Sequence, residues 1–181
     1  MVIGIDLGIK GGIAVLDDDG NILDLREMPL IKDDKKWKKR FYKFVDTNEI
    51  YNIINNYKFK ANKLGHKLTV VIEDIGNIYG IDKFSMYSLG RQRGIVEGIC
   101  YSMGVEIVAY PPKVWQGYMF SKINKVVGVN SSMKKTKQYA FEVYKMLYSH
   151  MVKDVMKRKN PKDGIVDAVL IGRFHIEMTK N

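Results

Sequence analysis

At 181 residues, with 46% hydrophobic and 28% charged residues, the chain has room for one domain with a sizeable core, spanning 1–181, and not for two comfortable ones. A single cysteine, Cys100, excludes an intrachain disulfide framework and a cysteine-rich zinc site, and reads as a small core residue. Thirty basic residues against 20 acidic give a net charge of +10, which points to nucleic acid as a partner; no apolar run reaches membrane-spanning length and no signal peptide opens the chain, so a soluble, intracellular protein with no membrane partner is expected.

The first element is "VIGIDLGIKGGIAVL", two short apolar runs around the turn chemistry of "GIKGG", and it predicts a β-hairpin. Asp6 then points off the sheet near the end of the first strand, where a bare carboxylate is costly unless a positive partner satisfies it. "DDDG" makes the next turn, and "NILDLREMPL" alternates as a third antiparallel strand. A basic, poorly patterned connection runs to about Asp46 and includes "KKWKKRFYK" (35–43), six basic residues in nine. Ile50, Ile53, Ile54 and Tyr57 fall at helical spacing behind Asp46 or Thr47 as a cap. "KLTVVIEDIG" is a nearly all-apolar strand of the kind buried on both faces in a parallel arrangement, ending at Glu73 and Asp74.

From about Asp82 to Met103 the spacing is helical, and Gly90, Gly94 and Gly98 recur every four residues along one side. Each interior glycine costs a helix roughly 1 kcal/mol relative to alanine, so three in register imply a close approach, either by the helix's own sheet or by a partner subunit. "VEIVAYPP" is a strand stopped by two prolines. "KVWQGYM" begins a short helix or loop around Trp115, and "KINKVVGVNSS" reads as a connection. Ser131 or Ser132 caps a helix whose apolar side includes Tyr139, Val143, Tyr144 and Leu147. A basic linker leads to a final helix beginning at Pro161; from Met133 to Lys162 nine basic residues stand against Glu142 and Asp154. The element order predicts an α/β fold, a mixed five-stranded sheet flanked by helices.

In such a sheet the ends of the first and fourth strands can lie side by side, bringing Asp6 to Glu73. Asp163 and Asp167 are four apart on the final helix and share a face. If that helix docks at the strand ends, four carboxylates converge and raise one another's pKa unless cations neutralise them. Mg²⁺ or Mn²⁺, hard ions with oxygen ligands, answer that need. The alternatives are structural: Asp163 as a first-turn acid favoured by the helix dipole, and Glu73 and Asp74 as strand-end acids facing water. His66, His150 and His175 lack metal-ligand spacing and read as structural, and neither a Ser or Cys nucleophile signature nor a P-loop is present.

"GIDLGIKGGIAVLD", "VIED", "SMYSLGRQRGIVEGI" and "KDGIVDAVLI" occur in the order and approximate spacing of the RuvC-like Holliday junction resolvases of the ribonuclease H-like superfamily, and the likeness covers nearly the whole chain. The phage branch is similar in its C-terminal motif and in the segment here written "PPKVWQ". The resemblance implies that Asp6, Glu73, Asp163 and Asp167 are catalytic acids holding Mg²⁺ or Mn²⁺, two ions per site, although bacterial members place the last pair three apart rather than four. It implies a homodimer with Gly90, Gly94 and Gly98 in its interface, and a substrate of four-way junctions or other branched DNA. Lys10, Lys83, Arg91, Arg93, Lys113, Trp115, Lys122, Lys134, Lys135 and Lys137 are the candidate DNA contacts, Trp115 standing about where the family has a lysine. A phage-encoded member would act in the host cytoplasm. Two other readings stay open: a non-catalytic nucleic-acid-binding module of the same fold, and a fragment related to the actin-like ATPases, whose phosphate hairpin also resembles "GIDLG".

Overall fold

The computed structural model describes residues 1–32, 43–74, 82–124, 133–157 and 160–180. Five strands form the central sheet: β1 (Val2–Asp6), β2 (Gly12–Leu16), β3 (Ile22–Glu27), β6 (Thr69–Glu73) and β7 (Glu106–Tyr110), in the order β3-β2-β1-β6-β7. β4 (Leu30–Lys32) and β5 (Lys43–Val45) pair as a separate antiparallel ribbon. β1, β2 and β3 are antiparallel neighbours, whereas β1, β6 and β7 run parallel. The predicted mixed α/β sheet is therefore present, and its parallel half begins where the sequence turns continuously apolar.

Strand alternation sorts the side chains onto two faces. Ile3, Ile5, Ile13, Val15, Val70 and Ile72 join one core cluster with Ile50, Ile53, Ile54 and Tyr57 of α1 (Thr47–Lys63) and with Val96, Ile99 and Cys100 of α2 (Lys83–Met103). Val2, Ala14, Leu16 and Val71 join a second cluster with α3 (Pro112–Asn124), α4 (Met133–Leu147) and α5 (Asp163–Thr179). Each fully buried aliphatic side chain contributes about 1.5–3 kcal/mol. By the same alternation Asp6, two residues beyond Gly4, and Glu73, two beyond Val71, belong to the face that α5 covers.

α5 is buried nearly all round and lies closer to the sheet than side chains would allow. A Cβ built on Gly4 would fall onto the Ala168 carbonyl oxygen and stand 3.1 Å from the amide nitrogen of Gly172, and one on Gly12 would be 2.7 Å from the Ile165 Cα. Gly164, Ala168 and Gly172, four apart, make the matching small-residue row on the helix, and Gly11 bridges Gly164 backbone to backbone. Small residues on both surfaces thus set the helix-to-sheet distance.

Local capping follows the sequence in two places. The Asp46 carboxylate accepts from the amides of Asn48 and Glu49, each at 3.1 Å, to start α1, and Asp82 accepts from Phe84 and Ser85 to start α2. Three expectations are corrected. Residues 112–124 form one continuous helix rather than a short helix or loop and a connection. The basic linker before the last helix is ordered as a 3₁₀ helix, Ser149–Val155, followed by the two-residue strands β8 (Met156–Lys157) and β9 (Asn160–Pro161). Pro161 pairs with Met156 in that ribbon, so α5 starts at Asp163 instead. Such short elements show no periodicity, which is why they read as linker. Ser131, Ser132, the connection from 125 and most of the 35–43 basic block lie outside the described residues.

Candidate active site

Asp6 is the last residue of β1 and Glu73 the last of β6. The parallel register pairs Ile5 with Ile72, so the two carboxyl-bearing residues are next-door positions on strands about 4.8 Å apart. Asp167 lies one residue before the Ala168 carbonyl that rests on Gly4, so the close packing of α5 carries its carboxyl to the same end of the sheet. Asp163 stands one turn earlier, at the rim, where Lys137 of α4 pairs with it at 2.6 Å.

The electrostatics follow from that placement. Burial, then Asp167 and Glu73, pushes the Asp6 carboxyl well above the usual carboxylate range, with Lys137 pulling back and Asp163 adding to the push. Burial, then Glu73 and Asp163, lifts Asp167 to about 7. Burial also raises Glu73, which the Trp115 indole N–H partly offsets by donating to Oε1 at 3.0 Å. Among the described residues no hydrogen bond reaches the carboxylate of Asp6 or of Asp167. Two partly buried acids without donors, raising each other's pKa, form a site short of positive charge. The donor set is all carboxylate oxygen, which fits hard divalent ions and no softer metal. Among the described residues, no three acid, His or Cys side chains are gathered at coordinating distance around one point; the acids face one another without closing on a centre.

This arrangement has a cost in stability that depends on pH. An unfolded aspartate titrates near 3.9, whereas Asp167 in the fold titrates at about 7. Between those values the folded state binds more protons than the unfolded one, so stability falls as pH rises through the window. His175 opposes the trend, because burial lowers its pKa and it is the unfolded state that then takes up the proton. A comparison of parent with Asp167→Asn cancels the histidine. In EDTA, urea unfolding of the variant is expected to show a gain over parent on the order of 4 kcal/mol at pH 8, shrinking towards pH 4. An equal difference at both pH values would contradict the burial of a strained carboxylate there.

The remaining sequence-predicted residues divide. Lys10, in the turn after Asp6, Lys113, at the start of α3, and Lys137 are exposed at or near the acidic end of the sheet. Lys83 and Arg91 are exposed on α2, Arg91 lying over the Phe44 ring at 4.6 Å. Arg93 is held by Asp74 at 2.5 Å and by Glu97 at 2.8 Å, and Lys122 by Glu177 at 2.7 Å beside the Tyr118 ring. The side chains of Lys134 and Lys135 lie outside the described residues. Trp115 is corrected: at 2% exposure it is a core residue and no DNA contact, its one polar atom spent on Glu73. Its apolar neighbours in α3, Met119 and Ile123, recur every four residues and give the signal for burial.

Gly90, Gly94 and Gly98 are also clarified. Among the described residues a Cβ on any of them meets nothing within 4 Å, so the protein's own sheet is not what approaches them. Elsewhere on α2, sequence reasoning missed Gln92, 3% exposed, whose Oε1 accepts from the Gly8 amide at 2.8 Å and whose amide group reaches Ser88 at 3.1 Å. It ties the turn after Asp6 to α2, an arrangement no local pattern announces. Cys100 is buried, with its thiol pushed up to about 12 by burial. His175 shares a 3.0 Å hydrogen bond with the Tyr110 hydroxyl, and His66 pairs with Asp18.

No family model matches the sequence, and no curated protein matches it either. Solved structures do. The chain is similar to Thermus thermophilus RuvC in complex with a Holliday junction substrate, at 14% identity and a TM-score of 0.52, over 99% of this chain and 94% of that one. A second T. thermophilus RuvC structure aligns at 14% identity and 0.50, over 98% and 96%. The yeast mitochondrial Holliday junction resolvase Ydc2 aligns at 15% identity and 0.55, over 99% of this chain and 78% of that one. The fold is thus the RuvC type of the ribonuclease H-like architecture. Among the described residues, no helix is long and apolar enough to cross a membrane.

Proposed function

We propose that this protein is a metal-dependent, structure-selective endonuclease that hydrolyses phosphodiesters of Holliday junctions or other branched DNA, as a homodimer of single-domain subunits of the phage type. The observation that carries this is the group of carboxylates with raised pKa, Asp6, Glu73 and Asp167, on one face at the end of a RuvC-type sheet. The resolvases to which the fold is similar act on four-way junctions by their printed names, and the +10 charge favours a polyanion here.

Asp6, Glu73, Asp163 and Asp167 would hold the ions, and Mg²⁺ or Mn²⁺, two per site, would supply an activated water and charge neutralisation at the scissile phosphate. Asp6, which feels the other three acids, would contribute its charge at the middle of that group. Lys137, already at the rim on Asp163, offers a positive charge to an incoming phosphate. Lys10 and Lys113 extend the basic surface around that end of the sheet, and Lys83 and Arg91 extend it along α2.

Digestion of a panel of flaps, forks and four-way junctions by purified protein in Mg²⁺ and in Mn²⁺ tests the proposal. Cutting of branched substrates with linear duplex spared supports it; no cutting of any substrate in either metal overturns it. That second outcome would favour a non-catalytic DNA-binding module. The observation on its side is that Lys137 already neutralises Asp163 while the acids do not close on a centre.

The dimer rests on α2. Gly90, Gly94 and Gly98 form an open stripe, with Tyr87, 62% exposed, and Tyr101, 71% exposed, towards its two ends. Gly94→Leu is expected to leave the fold intact, because among the described residues nothing lies within 4 Å of the new Cβ and helix propensity improves by about 1 kcal/mol. It is expected to convert dimer to monomer in sedimentation. A Gly94→Leu protein that sediments as the parent does would move the interface elsewhere.

A further inference from the structure

We propose that Trp115 is a positioning residue for Glu73: its indole N–H fixes one carboxylate oxygen and leaves the other to face the site. This rests on the reading of Glu73 as a metal ligand. The two groups come from different elements, Glu73 from the end of β6 and Trp115 from the first turn of α3. α3 is fixed at that point by its own backbone, since the amides of Val114 and Trp115 both return to the Pro111 carbonyl, at 3.0 and 3.5 Å. The ring is among the largest fully buried side chains of the molecule and meets Phe120 edge-on, with centroids 6.2 Å apart. A ring so enclosed cannot swing, so its N–H is a fixed donor.

The bond, at 3.0 Å, reaches only Oε1. Glu73 has no other hydrogen bond among the described residues, so the indole alone sets its rotamer. Fixing a glutamate side chain costs rotamer entropy; here that ordering is done before any ion arrives. Among the described residues Asp6 and Asp167 have no donor, and Asp163 is met only by the exposed Lys137 side chain, so Glu73 is the acid that a buried donor presets. Donors behind a ligating carboxylate commonly hold 10–100-fold in metal affinity.

The test measures Mn²⁺ binding directly, by the loss of the free-ion electron paramagnetic resonance signal, on the full chain without DNA. Trp115→Phe keeps an aromatic ring and removes the donor. It is expected to weaken Mn²⁺ binding about 10-fold, to leave junction affinity in EDTA unchanged, and to recover cutting when Mn²⁺ is raised by a similar factor. Glu73→Gln is expected to weaken Mn²⁺ binding further, without recovery, and the double variant to match Glu73→Gln. Should the phenylalanine protein fail to fold, benzothienylalanine at 115 keeps the bicyclic shape and still removes the N–H.

Parent-like Mn²⁺ affinity in a folded Trp115 variant overturns the proposal. So does a double variant weaker than Glu73→Gln by the Trp115→Phe factor, because the ring would then act independently of Glu73. Parent-like Mn²⁺ affinity in Glu73→Gln itself overturns the assignment of Glu73 as a ligand, and this proposal with it.

Discussion

Asp6→Asn is expected to bind a four-way junction at least as tightly as the parent and to cut it at a rate lower by about 10³-fold or more. The estimate follows from the several kcal/mol a divalent ion contributes to transition-state charge, at 1.36 kcal/mol for each factor of ten. The substitution keeps the shape of the side chain and removes the charge that Asp167, Glu73 and Asp163 all oppose. It therefore leaves no cavity, relieves repulsion inside the fold and lessens repulsion towards DNA phosphates. Stability should rise while activity disappears, a pairing that distinguishes a functional carboxylate from a structural one. If Asp6 served only the fold, Asn would change stability modestly and leave the rate near normal. Ca²⁺, larger and less demanding of geometry, is expected to support binding better than cutting. A protein carrying Asp6→Asn that cuts at the parent rate in Mg²⁺ would remove the central claim.

The elements with strong periodicity were legible in the chain. The β1–β2 hairpin, the apolar β6, α1 behind Asp46 and α2 behind Asp82 all carry patterns that propensity and burial reinforce. Asp6 was conspicuous because it interrupts an apolar run, and Asp167 because it sits in "GIVDAVLIG". What escaped was set by tertiary packing. The β8–β9 ribbon consists of two-residue strands, too short for alternation to appear. Trp115 shares a four-residue period with Met119 and Ile123 that marks it for burial, but its hydrogen-bond partner lies 42 residues away. Gln92 reaches across 84 residues to Gly8, and Lys137 reaches across 26 to Asp163. None of these contacts leaves a local signature, because the sequence neighbours of each residue are indifferent to the bond it makes.

The glycines show the same limit from the other side, and they supply the second large expected effect. Gly90, Gly94 and Gly98 drew notice by their spacing, yet no described residue approaches them; Gly4 and Gly12, unremarkable in the hairpin, are where the helix backbone touches the sheet. Gly4→Ala is expected to destabilise the protein by about 3 kcal/mol or more, at the upper end for an added methyl group in a packed interior. The new Cβ would overlap the Ala168 carbonyl oxygen, and its next neighbours, the Ala168 carbonyl carbon and the Gly172 amide nitrogen at 3.1 Å, are also backbone, so no side chain can rotate away. The only relief is for α5 to lift from β1. Asp167 immediately precedes Ala168, so that movement also draws its carboxyl from Asp6. Two readouts should therefore fall together: the urea midpoint, and Mn²⁺ affinity measured on whatever fraction remains folded. Gly117→Ala is the control, since among the described residues its Cβ meets nothing within 4 Å and a helical alanine gains up to about 1 kcal/mol. A Gly4→Ala protein as stable as the parent would show that the helix can settle farther from the sheet than its small-residue rows imply. Loss of stability with Mn²⁺ affinity retained would separate the packing of α5 from the placement of Asp167.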